Sequence, residues 1–296
     1  MCLKKIATKR IKKRNLKGKI VICSPSSMFF DEKDQYEILS LKENGGKIFI
    51  VQHGACYGDL YFQNIQAEYG LDKFISWAQK SHPNFDIEFD PLPSPQLKKL
   101  KYNKTSNNYL FVSHSGVFVL PRYGLKDFSD SYLRYTNTIK FFEKINPKLR
   151  NKFEFKDMIP KHFSELDILK KKFDDLRFTS ESPEKRVEHS KLVVTNNYST
   201  FFYKCLASNI PTILLTKFNV WKLTEQAKKI YKSFEECGIS FENMDLAAKK
   251  INEGEDSIDE WWNSQKVQNA REKFCKEFAW SSNSYFKSWV NYFWNI

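Results

Sequence analysis

The residues of this chain best placed for chemistry lie in Lys191-Leu192-Val193-Val194-Thr195-Asn196-Asn197-Tyr198-Ser199-Thr200-Phe201-Phe202-Tyr203-Lys204-Cys205-Leu206-Ala207-Ser208-Asn209-Ile210-Pro211-Thr212-Ile213. An apolar run gives way to amides and hydroxyls, then to a short helical pattern beginning at Thr200, then to a second apolar run at 212–216. Such a turn at the carboxyl end of a parallel strand aims backbone N–H groups and the positive end of a helix dipole outward, where a phosphate can sit. That chemistry belongs to a nucleotide-binding half domain. The alternative is an ordinary strand-helix-strand unit whose Ser and Thr only cap the helix.

Elements that alternate between strand and helix must carry this turn. Residues 18–24 (GKIVICS), 47–52 (KIFIVQ) and 73–77 (KFISW) have the short, continuously apolar form of buried parallel strands, with a helix expected over 34–43. Phe89-Asp90-Pro91-Leu92-Pro93-Ser94-Pro95 excludes a helix or a central strand and reads as a connection between two α/β units. A second set opens with a strand at 108–113. Helices follow over 131–145, 184–189, 245–253, 256–278 and 284–294, with a weak strand at 152–155. The organisation expected is a basic arm (1–19), a short N-terminal α/β domain (20–90), a linker (91–107) and a C-terminal domain (108–296) whose last helices pack back. A parallel sheet with flanking helices is the economical fold for each unit.

Of 296 residues, 41% are hydrophobic and 28% charged, ordinary for a globular protein. The net charge of +13 is concentrated: residues 4–19 hold nine Lys and Arg and no acid, which leaves 39 bases against 35 acids elsewhere. A basic arm on a near-neutral body argues against nucleic acid as the partner and is compatible with a solvated helix or with peripheral contact at an anionic membrane. No run of 18 apolar residues and no signal-peptide pattern occurs, so a cytoplasmic location is expected, peripheral to the inner membrane if the arm binds lipid. The six cysteines (Cys2, Cys23, Cys56, Cys205, Cys237, Cys275) have neither zinc nor disulfide spacing, and no Asp-x-Asp or ligand cluster is present, so neither a metal nor a cofactor is expected.

Gln52-His53-Gly54 with Tyr57-Gly58, the strand-turn-helix ending in Ala207-Ser208-Asn209-Ile210-Pro211-Thr212, and the closing Trp261-Trp262, Val267-Gln268, Ala270-Arg271 and Phe274 together resemble the sugar transferases of the LIC-type transferase family. The resemblance runs from about residue 45 to the end and is strongest from Lys191 onward. It implies an α/β fold of two Rossmann-like domains of GT-B type, here with a short N-terminal one, and a glycosyltransferase that uses a nucleotide-activated sugar to extend a glycan or glycoconjugate acceptor at the cell surface.

On this resemblance His53 is the general base or a contact to the donor phosphate, and Gln52, Gly54, Tyr57 and Gly58 line the cleft beside it. Ser113, His114 and Ser115 would form a phosphate loop, and Asn196, Asn197, Ser199 and Thr200 would hold the pyrophosphate. Three features depart from the pattern. Lys204 stands where a Glu would accept from the ribose hydroxyls, and a lysine only donates. Lys156 and Lys161 occupy a loop where relatives carry an Arg and an acid. The N-terminal domain offers two or three strands, so a catalytically weakened nucleotide- or glycan-binding subunit is the alternative function. Trp261, Trp262 and Trp280 are expected to pack the last helices rather than to stack on sugars.

Overall fold

The computed structural model describes residues 18–24, 32–60, 72–81, 88–103, 106–113, 128–158, 165–216 and 222–296. The arm up to residue 17, together with His114, Ser115 and Lys161, lies outside them.

The first sheet contains β1 (Ile20–Cys23), β2 (Lys47–Val51), β3 (Lys73–Ser76) and β4 (Asp90–Pro91), parallel and in sequence order, with α1 (Glu32–Glu43) between β1 and β2. The proline-rich connection is therefore part of the sheet at its start, and the two or three strands expected become four. Pro91 is tolerated because β4 is an edge strand that needs no second ladder. A single 3-10 turn, Pro95–Leu97, capped by Ser94, leads onward.

The second sheet is larger and its order carries the function. After β5 (Tyr109–Ser113) come α2 (Phe128–Lys144), α3 (Pro147–Arg150), β6 (Phe153–Asp157), α4 (Glu165–Lys172), β7 (Arg177–Phe178), α5 (Pro183–Arg186), β8 (Leu192–Thr195), α6 (Thr200–Ala207), β9 (Thr212–Leu215), α7 (Glu225–Cys237) and β10 (Ser240–Phe241). The strands are parallel and lie in the order β10-β9-β8-β5-β6-β7. Within this unit that is the 3-2-1-4-5-6 arrangement of the doubly wound dinucleotide-binding fold. Successive residues of β5 serve opposite layers: Phe111 packs with Phe141, Phe142 and Phe155, whereas Leu110 and Val112 join Val193, Phe201, Cys205 and Ile210.

The chain closes with α8 (Met244–Glu253), α9 (Ile258–Asn263), α10 (Gln265–Phe278) and α11 (Tyr285–Trp294). One helix was expected over 256–278, but Ser264 takes extended backbone (φ −60°, ψ 145°) and divides it. As expected, Trp261 and Trp262 pack at this corner, whereas the Trp280 side chain is left exposed. Trp261 Nε1 donates to Cys237 O (2.8 Å), and Trp262 Nε1 donates to Asn209 Oδ1 (2.9 Å). The Trp280 backbone bridges Trp77 O and the Ser94 N–H, tying the last helices to the first sheet. No helix among the described residues is long and apolar enough to cross a membrane, and no disulfide joins the described cysteines.

Phe274 is the hub of the core under α6, α7 and α10. Its ring meets Tyr203 at 4.8 Å, Phe234 at 5.3 Å, Phe278 at 5.5 Å and Phe202 at 5.9 Å between centroids. Phe274→Ala would leave a cavity bounded by rings that cannot collapse together, with an expected loss of about 3–5 kcal/mol. Denaturant unfolding measures this, and a loss below about 1 kcal/mol would show that the helices repack freely.

Candidate functional site

In the observed strand order the connections from β5 and β8 leave in opposite directions, which opens a crevice at the carboxyl ends of these two neighbours. Ser113 ends β5 and Asn196 follows β8. The Asn196 side-chain amide donates to Ser113 Oγ (2.9 Å) and to Thr138 Oγ1 (3.0 Å) on α2, and all three residues are buried. Asn196 was expected to face the donor. Instead it spends its amide hydrogens on the protein and pins β5, β8 and α2 together, with Asn197 and Ser113 buried beside it.

One step outward, the turn opens. Ser199 takes extended backbone, and its Oγ accepts from the Phe202 N–H (3.4 Å), which makes it the N-cap of α6. Thr200 is only half-buried, and its Oγ1 accepts from the Ala55 N–H (3.2 Å) of the first sheet. In both bonds the hydroxyl oxygen is the acceptor, which leaves its own hydrogen to give to a ligand. Together with the uncapped N–H groups at the start of α6, these hydroxyls suit an anion.

The facing wall is the loop that follows β2. Gln52, buried, braces it: its Oε1 accepts from the Trp77 N–H and its Nε2 donates to Gly54 O, both at 2.8 Å. Gly54 passes so near α6 that a Cβ there would lie 3.4 Å from Thr200 Oγ1. His53 projects into solvent, with Nδ1 3.0 Å from the Tyr57 hydroxyl and the two rings edge to face. Partial burial of the ring lowers its pKa below the ordinary 6.5, which favours the neutral form at pH 7. Tyr57 is itself fixed by stacking on Phe74. Cys56 and Gly58 both take left-handed backbone (φ 77° and 79°), strain concentrated at the point where the loop meets the second sheet.

Sequence reasoning missed the group that locks this meeting. Asp59 is fully buried, and its Oδ2 accepts from the hydroxyls of Tyr203 on α6 and Tyr231 on α7, the latter at 3.2 Å. The Tyr203 hydroxyl is also 3.3 Å from the Cys56 N–H, and Thr224 Oγ1 donates to Gly58 O (3.0 Å). The signal was an acid directly after Tyr57-Gly58 in otherwise apolar surroundings.

Two lysines expected to meet phosphate are engaged elsewhere. Lys204 Nζ donates to Glu184 Oε1 of α5 (3.0 Å), and Lys156 Nζ donates to Ser180 O (3.0 Å) on the exposed rim. The loop carrying His53 is thus brought against the start of α6 through Ala55 and Gly54, which meet Thr200. Asn196, Asn197 and Ser113 lie buried.

The family model described as LIC12162 family transferase matches residues 3–293. Among solved structures, the wall teichoic acid polymerase TagF, as a His-to-Asn variant soaked with CDPG, aligns over 98% of this chain and 91% of its own at 10% identity with a TM-score of 0.50. The same variant without that soak aligns over 98% and 92% at 9% identity and 0.48. No curated protein sequence matches the chain significantly. The shared architecture is the GT-B fold of two parallel α/β units.

Burial pushes the Asp59 carboxyl up to about 6, against the lowering effect of its hydrogen bonds. With its folded pKa above the unfolded one, Asp59 favours the native state most at low pH, and that contribution declines as pH rises from about 4 through 6. Asp59→Asn removes the titration, so its stability relative to the wild type should improve by up to about 3 kcal/mol between pH 4 and pH 7.5. Thermal melts across that range test this, and a constant difference would mean that Asp59 does not titrate there.

Proposed function

The chain belongs to the LIC12162 family of transferases, and on that premise we propose that it moves a sugar from a nucleotide-activated donor to a glycan or glycoconjugate acceptor in cell-surface polymer assembly. The observation that supports this reading is the Thr200 hydroxyl accepting from the Ala55 N–H, which brings the loop of His53 to the N-terminus of α6. A polymerase of the same fold has been studied with CDPG, a precedent for a nucleotide-linked donor in this architecture.

In this reading the donor lies along the carboxyl edge of the second sheet, with its pyrophosphate against the hydroxyls of Ser199 and Thr200 and the first N–H groups of α6. With the tautomer in which His53 Nδ1–H donates to the Tyr57 hydroxyl 3.0 Å away, Nε2 is left to take the proton of the acceptor hydroxyl as that oxygen attacks the anomeric carbon. The bond to the phosphate oxygen breaks, and the α6 terminus stabilises the departing charge without a metal or a cofactor. Glu184, held by Lys204, restores a carboxylate where the resemblance expects one to receive the ribose hydroxyls.

The second reading, a binding subunit without turnover, draws on the same pair, because Lys204 only donates and the carboxylate of Glu184 is already engaged by it. Titration calorimetry with UDP, CDP, GDP, ADP and CMP separates the cases. Binding of at least one with transfer supports the enzyme, binding without transfer supports the subunit, and no binding rejects both.

His53→Ala is expected to fold normally and to lose about 10²–10⁴-fold in transfer rate. Because the lowered pKa keeps the ring deprotonated further into acid, the acid limb of the wild-type rate profile should fall below pH 6.5. A limb above pH 7, or unchanged turnover in the variant, rejects His53 as the base.

A further inference from the structure

The last helix covers the first sheet with one face and leaves an apolar stripe on the other. Inward, Trp289, Tyr292 and Phe293 of α11 join Phe49, Ile75 and Leu92. Phe293 stacks on Phe49 at 6.1 Å, Trp289 Nε1 donates to Pro93 O (2.9 Å), and the Tyr292 hydroxyl donates to Asp90 (2.5 Å). Outward, Phe286, Val290 and Trp294, spaced at i, i+4 and i+8, are 72%, 46% and 87% exposed. Three large apolar side chains in line on a well-packed helix form a contact surface rather than scattered exposure.

Helix α11 itself contributes only positive charge, and the acids at the neighbouring strand edge, Asp72 and Asp90, are paired with Lys42 and Lys73. From Ala279 to Ile296 the chain holds Lys287 and no acid. Trp289 reaches Pro93 beyond the end of β4, while Tyr292 reaches Asp90 at its start, so α11 runs against β4 and carries Trp294 toward the edge where the strands begin. Lys19 and Lys47 are exposed at that edge. At the other end of the helix, exposed Lys98 and Lys99 line a small cavity with Ser282, Asn283 and Tyr285.

We infer that this face docks on an anionic lipid bilayer, with Phe286, Val290 and Trp294 entering the headgroup region and the flanking lysines meeting lipid phosphates. Aromatic side chains favour that depth, and an apolar stripe combined with basic residues supplies the two signals that stable peripheral binding requires. A second copy is the poorer occupant, because pairing two such faces would set lysines against lysines. The surface is separate from the crevice of the proposed transferase and does not depend on that assignment.

Sedimentation of the full chain with vesicles tests this. The wild type is expected to bind phosphatidylcholine vesicles containing phosphatidylglycerol and to bind pure phosphatidylcholine weakly. Joint substitution Phe286→Ser, Val290→Ser and Trp294→Ser should weaken binding to the anionic vesicles by about 100-fold, and Trp294→Ser alone by about tenfold. Circular dichroism should show both variants folded, and the single variant carries the test if the triple one is not. Failure of the wild type to bind anionic vesicles, or equal binding by a folded variant, overturns the inference. So does a wild-type dimer that the substitutions dissociate, which would identify a second copy as the occupant.

Discussion

Asp59 sits where the two sheets meet, fully buried, with two tyrosine hydroxyls donating to one of its oxygens. A carboxylate in such a place is costly unless its partners are fixed in advance. The partners come from α6 and α7, themselves fixed by the aromatic core around Phe274. The loop carrying His53 is thus positioned by the core of the opposite sheet. Packing in one unit becomes geometry in the other through a single acid.

The same seam explains why the loop has an unusual backbone. To bring Asp59 under Tyr203 and still present His53 outward, the chain must turn sharply within six residues, and it does so with left-handed conformations at Cys56 and Gly58. Glycine adopts this freely, whereas cysteine does so at a cost of order 1–3 kcal/mol. The Tyr203 contact to the Cys56 N–H and the Thr224 contact to Gly58 O offset that cost where it arises. The strain marks the place where the two units are joined.

Most of the architecture was legible because buried parallel strands are written as unbroken apolar runs, as in Lys47–Val51 and Leu192–Thr195. What escaped notice was short or masked by charge. β7 and β10 are two residues each, and α7 hides Ala227, Ile230, Tyr231 and Phe234 among six Lys and Glu. Of the candidate site, the capping of α6 by Ser199 was legible in the hydroxyl-rich turn. The roles of Asn196 and Lys204 were not. Whether a polar side chain gives its hydrogens to a ligand or to the protein depends on Ser113, Thr138 and Glu184, which are distant in sequence and carry no local mark.

The seam also limits how the crevice can work. Ala55 with Thr200, Cys56 with Tyr203, Asp59 with Tyr203 and Tyr231, Gly58 with Thr224, and the Leu60–Leu223 bridge all lie along one line between the sheets. Parting the sheets there would break all of these contacts together, and with them the apolar packing that surrounds them. The separation of His53 from the α6 terminus is therefore built in rather than created by closure on a ligand. In the proposed reading this seam would hold base and anion cradle in register before substrate arrives, which leaves selectivity to residues outside it.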